Sequence, residues 1–127
     1  MIYGIGTDIV VISRVALVLE RYGERFVNRV LCESEIAKYR NHRKPAAFIA
    51  KRFAAKEAFS KALGTGIRAP ANWHGVWVAN LPSGKPELHY SAALGALLEQ
   101  RGVSRSHLSI TDERDLACAT VILERAR

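Results

Sequence analysis

The sequence predicts an α+β protein of one domain, a largely antiparallel sheet packed on a long central helix, with elements in the order βαααββαββ. Three observations carry this. An alanine-rich stretch lies between Pro45 and Gly64, residues suited to a helix start and a helix end. Short apolar runs bounded by turn residues fill the C-terminal half. A length of 127 residues, with no repeat, linker or low-complexity segment, suits a single hydrophobic core spanning residues 1–127.

Ile2–Thr7 reads as the first strand, ending in the turn-prone Gly6-Thr7-Asp8. Ser13 is an N-cap for a helix beginning at Arg14, whose apolar face is Val15, Leu19, Tyr22 and Phe26. Arg14, Val18, Arg21 and Arg25 repeat that spacing one residue behind, so a basic stripe flanks the core face; Gly23 is a candidate break within it. A short helix over Ser34–Arg40 leads into the basic loop Asn41–Lys44.

In the central helix Phe48, Ala55, Phe59 and Leu63 form one apolar face, and Ala47, Ala50, Ala54 and Ala58 keep its surroundings small. At roughly 100° per residue, Glu57 and Lys61 lie some 40° apart on it. Val76–Ala79 and Glu87–Tyr90 are strands joined by a long turn, Asn80–Pro86. Ser91 caps a helix over Ala92–Arg101, and Gly102 stops it. Leu108–Thr111 and Leu116–Leu123 close the chain as a hairpin around Asp112–Asp115.

The net charge of +7 is uneven. Residues 13–68 hold 13 Lys/Arg against 5 Asp/Glu, whereas residues 69–127 hold 6 of each. A basic field of this kind attracts an anion, whether nucleic acid, acidic protein or phosphorylated small molecule. No RNA-binding signature or basic–aromatic interleaving accompanies it, which speaks against nucleic acid. No apolar run reaches membrane-span length, and Gly4, Gly6 and Asp8 interrupt the first apolar stretch, which speaks against a membrane anchor or a secretory signal. Cys32 and Cys118 lack metal-ligand or redox spacing, so a reducing, cytoplasmic setting is expected.

Asp8, at the end of an apolar stretch, and Glu57 with Lys61, one turn apart on an apolar helix, are the candidate site. Each has a plainer reading: Asp8 as a turn residue, Glu57 as half of a helical ion pair with Lys61 or Lys56. Together the two acids and the amine suit a magnesium ion completed by water and phosphate oxygens. Gly64-Thr-Gly66 is a helix stop rather than a phosphate loop, because a helix C-terminus is negative; a part for Gly64 in shaping the ligand site stays open. Arg14 and Arg21 form either a solvated face or a docking stripe beside Asp8.

The blocks Gly6-Thr-Asp-Ile-Val10, Arg14, Arg52-Phe-Ala-Ala-Lys-Glu-Ala58 with Lys61, and Gly64-Thr-Gly-Ile67 resemble the holo-acyl-carrier-protein synthases, small trimeric 4′-phosphopantetheinyl transferases. The resemblance covers essentially the whole chain. It implies the 4′-phosphopantetheinyl transferase fold and an activity: transfer of the phosphopantetheine arm of coenzyme A to a serine of apo acyl carrier protein, releasing adenosine 3′,5′-bisphosphate, in support of fatty acid biosynthesis. Asp8 and Glu57 match the family's Mg²⁺ carboxylates, and Lys61 the lysine near the pyrophosphate. Arg14 and Arg21 match the helix that docks the acidic carrier protein, and a cytoplasmic homotrimer is expected. The catalytic base is then Glu57 or a metal-bound water. Arg52 and Lys44, with no acid close in sequence to pair them, are candidates for the ribose 3′-phosphate. Where many relatives carry a histidine, this chain has Asp112, which either contributes to the site through water or turns the hairpin.

Overall fold

The computed structural model describes residues 1–126. Strand β1 (Ile2–Val11) is followed by four helices, α1 (Ile12–Tyr22), α2 (Glu24–Val30), α3 (Glu33–Tyr39) and α4 (Pro45–Leu63). Then come β2 (Val76–Asn80), β3 (Pro86–Tyr90), α5 (Ala92–Gln100), β4 (Val103–Glu113) and β5 (Leu116–Arg125). The α+β class holds, with one helix more than the expected order. Gly23 is the reason. At φ +54°, ψ −130° it takes a backbone conformation that side-chain-bearing residues avoid, so it ends α1 and starts α2 in a new direction.

Every strand pair is antiparallel, but there are two sheets instead of one: β1-β5-β4, and the separate hairpin β2-β3. β1 does not stop at Thr7. Thr7 to Val11 pair residue by residue with Thr120 to Leu116, which places Asp8 within the strand, opposite Ala119. β4 is also longer than expected, its C-terminal part alternating exposed His107, Ser109 and Thr111 with Leu108 and Ile110.

α4 is the centre of the molecule, with 12 of its 19 residues buried. Ala54, Ala58, Phe59 and Ala62 pack against the sheets and α5, while Phe48, Ile49 and Ala50 pack against α1, α2 and the end of α3. Gly64 closes it in the left-handed region at φ +87°, its N–H on the Ser60 carbonyl at 2.9 Å. Ser91 caps α5 as expected, accepting the Leu94 N–H at 3.2 Å. Ser13 does not cap α1, which begins two residues earlier than expected, at Ile12, with Val11 at the N-cap.

The contact that matters for the site is β1 lying directly on α4. A β-carbon at Gly6 would fall 1.9 Å from the Ala58 carbonyl oxygen, and one at Gly4 would fall 2.0 Å from that of Ala62. Only hydrogen fits there. The two glycines and the two alanines let strand and helix backbones touch, and the next residue on that face of β1 is Asp8.

Candidate active site

Because β1 meets α4 without intervening side chains, Asp8 arrives at the helix turn that carries Glu57 and Lys61. The Lys61 Nζ donates to an Asp8 carboxylate oxygen and to the Thr7 carbonyl oxygen, both at 3.1 Å. The Asp8 carboxylate is mostly covered, at 16% exposure, whereas Lys61 is half-exposed at 52%. Glu57 is partly buried and, among the described residues, has no ion-pair partner within 4.0 Å. The expected alternative, a helical Glu57–Lys61 bridge, is not formed, since Lys61 turns to Asp8.

Electrostatics single out Glu57. Burial, and then the Asp8 carboxylate beside it, push its carboxyl above the ordinary value, with Lys61 pulling the other way. A carboxylate raised by its burial and by a neighbouring carboxylate marks a place where a cation would be stabilised. Among the described residues no cluster of three or more His, Cys, Asp or Glu side chains is arranged for a metal. The donor set is therefore two carboxylates, which fits magnesium, an ion that keeps several waters and takes substrate phosphate oxygens. A cleft of about 350 Å³ opens here, lined by Asp8, Arg14, Val18, Phe26, Phe53 and Glu57 among others.

The remaining expected residues divide. Arg14 and Arg21 are exposed on α1, and Arg14 lines the same cleft as Asp8 and Glu57. Gly64 ends α4 one residue after Leu63, beyond the turn that carries Lys61. Lys44 is exposed at the opposite end of α4, some 20 Å along the axis from Glu57 at about 1.5 Å per residue. Arg52 is not a free surface cation, and that premise is corrected: it is 6% exposed, lies over the Phe48 ring at 4.0 Å and donates to the Asn80 side chain at 3.3 Å. Its Nε sits 3.8 Å from the Glu35 carboxylate, an acid 17 residues away in sequence that only folding brings near. Asp112 does not turn the hairpin. It lies in β4 opposite Ala117, with its carboxylate 3.9 Å from Lys51 on α4.

Residues 4–121 match the profile of the 4′-phosphopantetheinyl transferase superfamily. The chain belongs to that superfamily. It is 54% identical to the holo-[acyl-carrier-protein] synthase of Nitrosomonas europaea over 125 residues, 98% of this chain and 100% of that protein. Among solved structures, this transferase-family chain superposes on the holo-[acyl-carrier-protein] synthase of Neisseria meningitidis with a TM-score of 0.96 at 44% identity, covering 98% and 100% of the two chains. The Bacillus anthracis synthase, described as a complex with CoA (3′,5′-ADP), matches at a TM-score of 0.84 and 36% identity, covering 99% of each chain.

One feature of this superfamily member escaped the sequence reading. The buried ion pair of α4 is Lys56 with Glu35, both side chains fully buried, and not Glu57 with Lys61. The Lys56 Nζ donates to the Glu35 carboxylate at 2.7 Å, the Val30 carbonyl at 2.6 Å and the Trp73 carbonyl at 2.7 Å, so all three protons are used. Glu35 accepts in addition from the Cys32 N–H at 2.9 Å and the Val78 N–H at 3.0 Å. The pair thus ties α2, α3, α4 and β2 together behind Glu57. Its only sequence signal was Lys56 among alanines, and its partner stood 21 residues away with nothing local to mark it.

Proposed function

We propose that this chain transfers the 4′-phosphopantetheine arm of coenzyme A to a serine hydroxyl of apo acyl carrier protein. The products are the holo carrier and adenosine 3′,5′-bisphosphate, and the reaction serves fatty acid biosynthesis in the cytoplasm. The observation that carries this reading is that Asp8 and Glu57 line one cleft and Lys61 is hydrogen-bonded to Asp8, in a chain over half identical along its length to a holo-[acyl-carrier-protein] synthase. Coenzyme A and its 3′,5′-ADP portion appear with solved relatives from Helicobacter pylori and Bacillus anthracis, which supports coenzyme A as the donor.

In phosphoryl transfer, positioning and charge neutralisation supply most of the catalysis. Asp8 and Glu57 would hold magnesium, which when bound offsets negative charge on the pyrophosphate oxygens. Lys61, already oriented by Asp8 and the Thr7 carbonyl, presents its ammonium to the departing bisphosphate, where a charge-assisted hydrogen bond is strongest as charge develops. Glu57, its carboxyl raised above the ordinary value, takes the serine proton directly or through a water. Arg14 and Arg21 on α1 receive the acidic carrier and deliver its serine to the same cleft.

The reading includes a homotrimer. The outer face of the three-stranded sheet carries Ile5 at 59% exposure, Ile9 at 64% and Leu116 at 47%, an apolar surface of the kind a second copy covers. β1 bears this face on one side and Asp8 on the other, so one strand would couple the interface to the cleft. Lys44, too far from Glu57 in its own chain, serves the ribose 3′-phosphate across such a boundary.

The test is direct. Incubated with coenzyme A, Mg²⁺ and apo carrier protein, the wild type should add one phosphopantetheine arm by intact-mass spectrometry, and Glu57→Gln should be slower by about 10²–10⁴. Full turnover by Glu57→Gln, or in the presence of excess EDTA, would refute the assignment.

A further inference from the structure

Helix α1 lacks a cap from its own stretch of chain. Val11 occupies the N-cap position and has no side-chain acceptor to offer. The acceptor comes instead from the far end of the sequence. Asp115, at the tip of the β4–β5 hairpin, takes the Ser13 N–H on one carboxylate oxygen at 2.9 Å and the Ser13 hydroxyl on the other at 2.6 Å. Its carbonyl oxygen accepts the Ile12 N–H at 2.8 Å. The placement follows from register. Val11 pairs with Leu116, so where β1 turns into helix the next residue on the neighbouring strand is Asp115. A two-residue turn holds it there, with Arg114 at φ +51° and Glu113 opposite Leu116.

We propose that Asp115 is a positioning residue for carrier-protein docking, acting through α1 and touching neither substrate. The inference rests on the reading of α1 as the docking helix. α1 begins four residues after Asp8 and carries Arg14 in its first turn, so any loosening of that turn moves the arginine relative to the metal carboxylates. A carboxylate here satisfies a free helix N–H and complements the positive end of the helix dipole. It also fixes the helix to the sheet that carries Asp8.

The sign of the effect separates this role from simple charge. Removing an acid beside a basic helix strengthens long-range attraction to an acidic partner, so electrostatic steering alone makes Asp115→Ala a better enzyme at low salt. Positioning demands the opposite. Asp115→Ala is expected to raise the KM for apo carrier protein about three- to tenfold, the size of a lost cap, with the KM for coenzyme A unchanged. Asp115→Asn, which keeps an acceptor oxygen, should recover most of the loss. Asp115 is exposed, so these variants should fold.

The second arm needs no substrate. Amide hydrogen exchange on the free protein should show the Ser13 amide about tenfold less protected in Asp115→Ala and near wild type in Asp115→Asn. Unchanged protection, or a carrier-protein KM that stays level or falls, would overturn the proposal. Failure of the wild type to modify carrier protein at all would instead overturn the transferase reading, and the exchange arm would still decide whether Asp115 caps α1.

Discussion

Glu57 is the side chain at which stability and the proposed chemistry meet. Its carboxyl is raised by burial and by Asp8, so it binds a proton more tightly in the folded state than in the unfolded chain. The stabilising contribution is complete below the ordinary carboxylate value of about 4.3 and is lost as pH rises through the raised value. At neutral pH without a divalent cation, the ionised group therefore opposes folding. Glu57→Gln, which removes the charge at nearly constant shape, should melt at or above the wild-type temperature at pH 8 in EDTA. That difference should shrink toward zero near pH 4. A variant that melts clearly lower at pH 8 would mean the carboxylate is structural. Cys32 differs in kind. Burial, opposed by Lys56 and assisted by Glu35, pushes its thiol up to about 11, so it stays protonated and unreactive at neutral pH, in keeping with a packing role.

Among the elements, α4 and β1 make the site, and their contact depends on what is missing from the side chains. Gly4 and Gly6 let β1 touch α4, and the strand period of two then delivers Asp8 to the helix face that bears Lys61. On the other side of α4, Lys56 and Glu35 hold α2 and α3 against it. Lys56→Met should cost about 3–5 kcal/mol in urea denaturation, because it leaves the Glu35 carboxylate buried without its ammonium. Adding Glu35→Gln should restore part of that loss, since the charge is gone while an amide oxygen still accepts a backbone N–H. A loss under about 1 kcal/mol for Lys56→Met alone would show that the cluster does not hold the helices together.

The whole molecule presents two contrasting surfaces. One is the basic helix α1 beside the cleft, and the other is the outer face of the three-stranded sheet, where Ile5 stands opposite Ile122 and Ile9 opposite Cys118. If a second copy covers the sheet, Ile9→Lys should convert the assembly to monomers in sedimentation velocity and depress turnover, because β1 carries both that face and Asp8. Retention of the wild-type sedimentation coefficient would remove the sheet face from the interface. No helix among the described residues is long and apolar enough to cross a membrane.

What the sequence alone determined was whatever depends on near neighbours in the chain. Pro45 and Gly64 bound α4, Ser91 caps α5, and Gly23 breaks α1 from α2, because helix ends are set by the few residues around them. Residue types made Asp8, Glu57 and Lys61 a candidate set, and the resemblance of the GTD and KEA blocks to the synthase family is what gave the set its expected roles. Tertiary structure alone decided the partners. Lys61 chose Asp8 over Glu57, Glu35 reached Lys56 and Arg52, and Asp115 reached Ser13 across 102 residues. Such pairings depend on strand register and on backbones close enough to touch. A charged side chain settles on whichever opposite charge the fold brings within hydrogen-bond reach, and for residues far apart in the chain spacing carries no information about that distance.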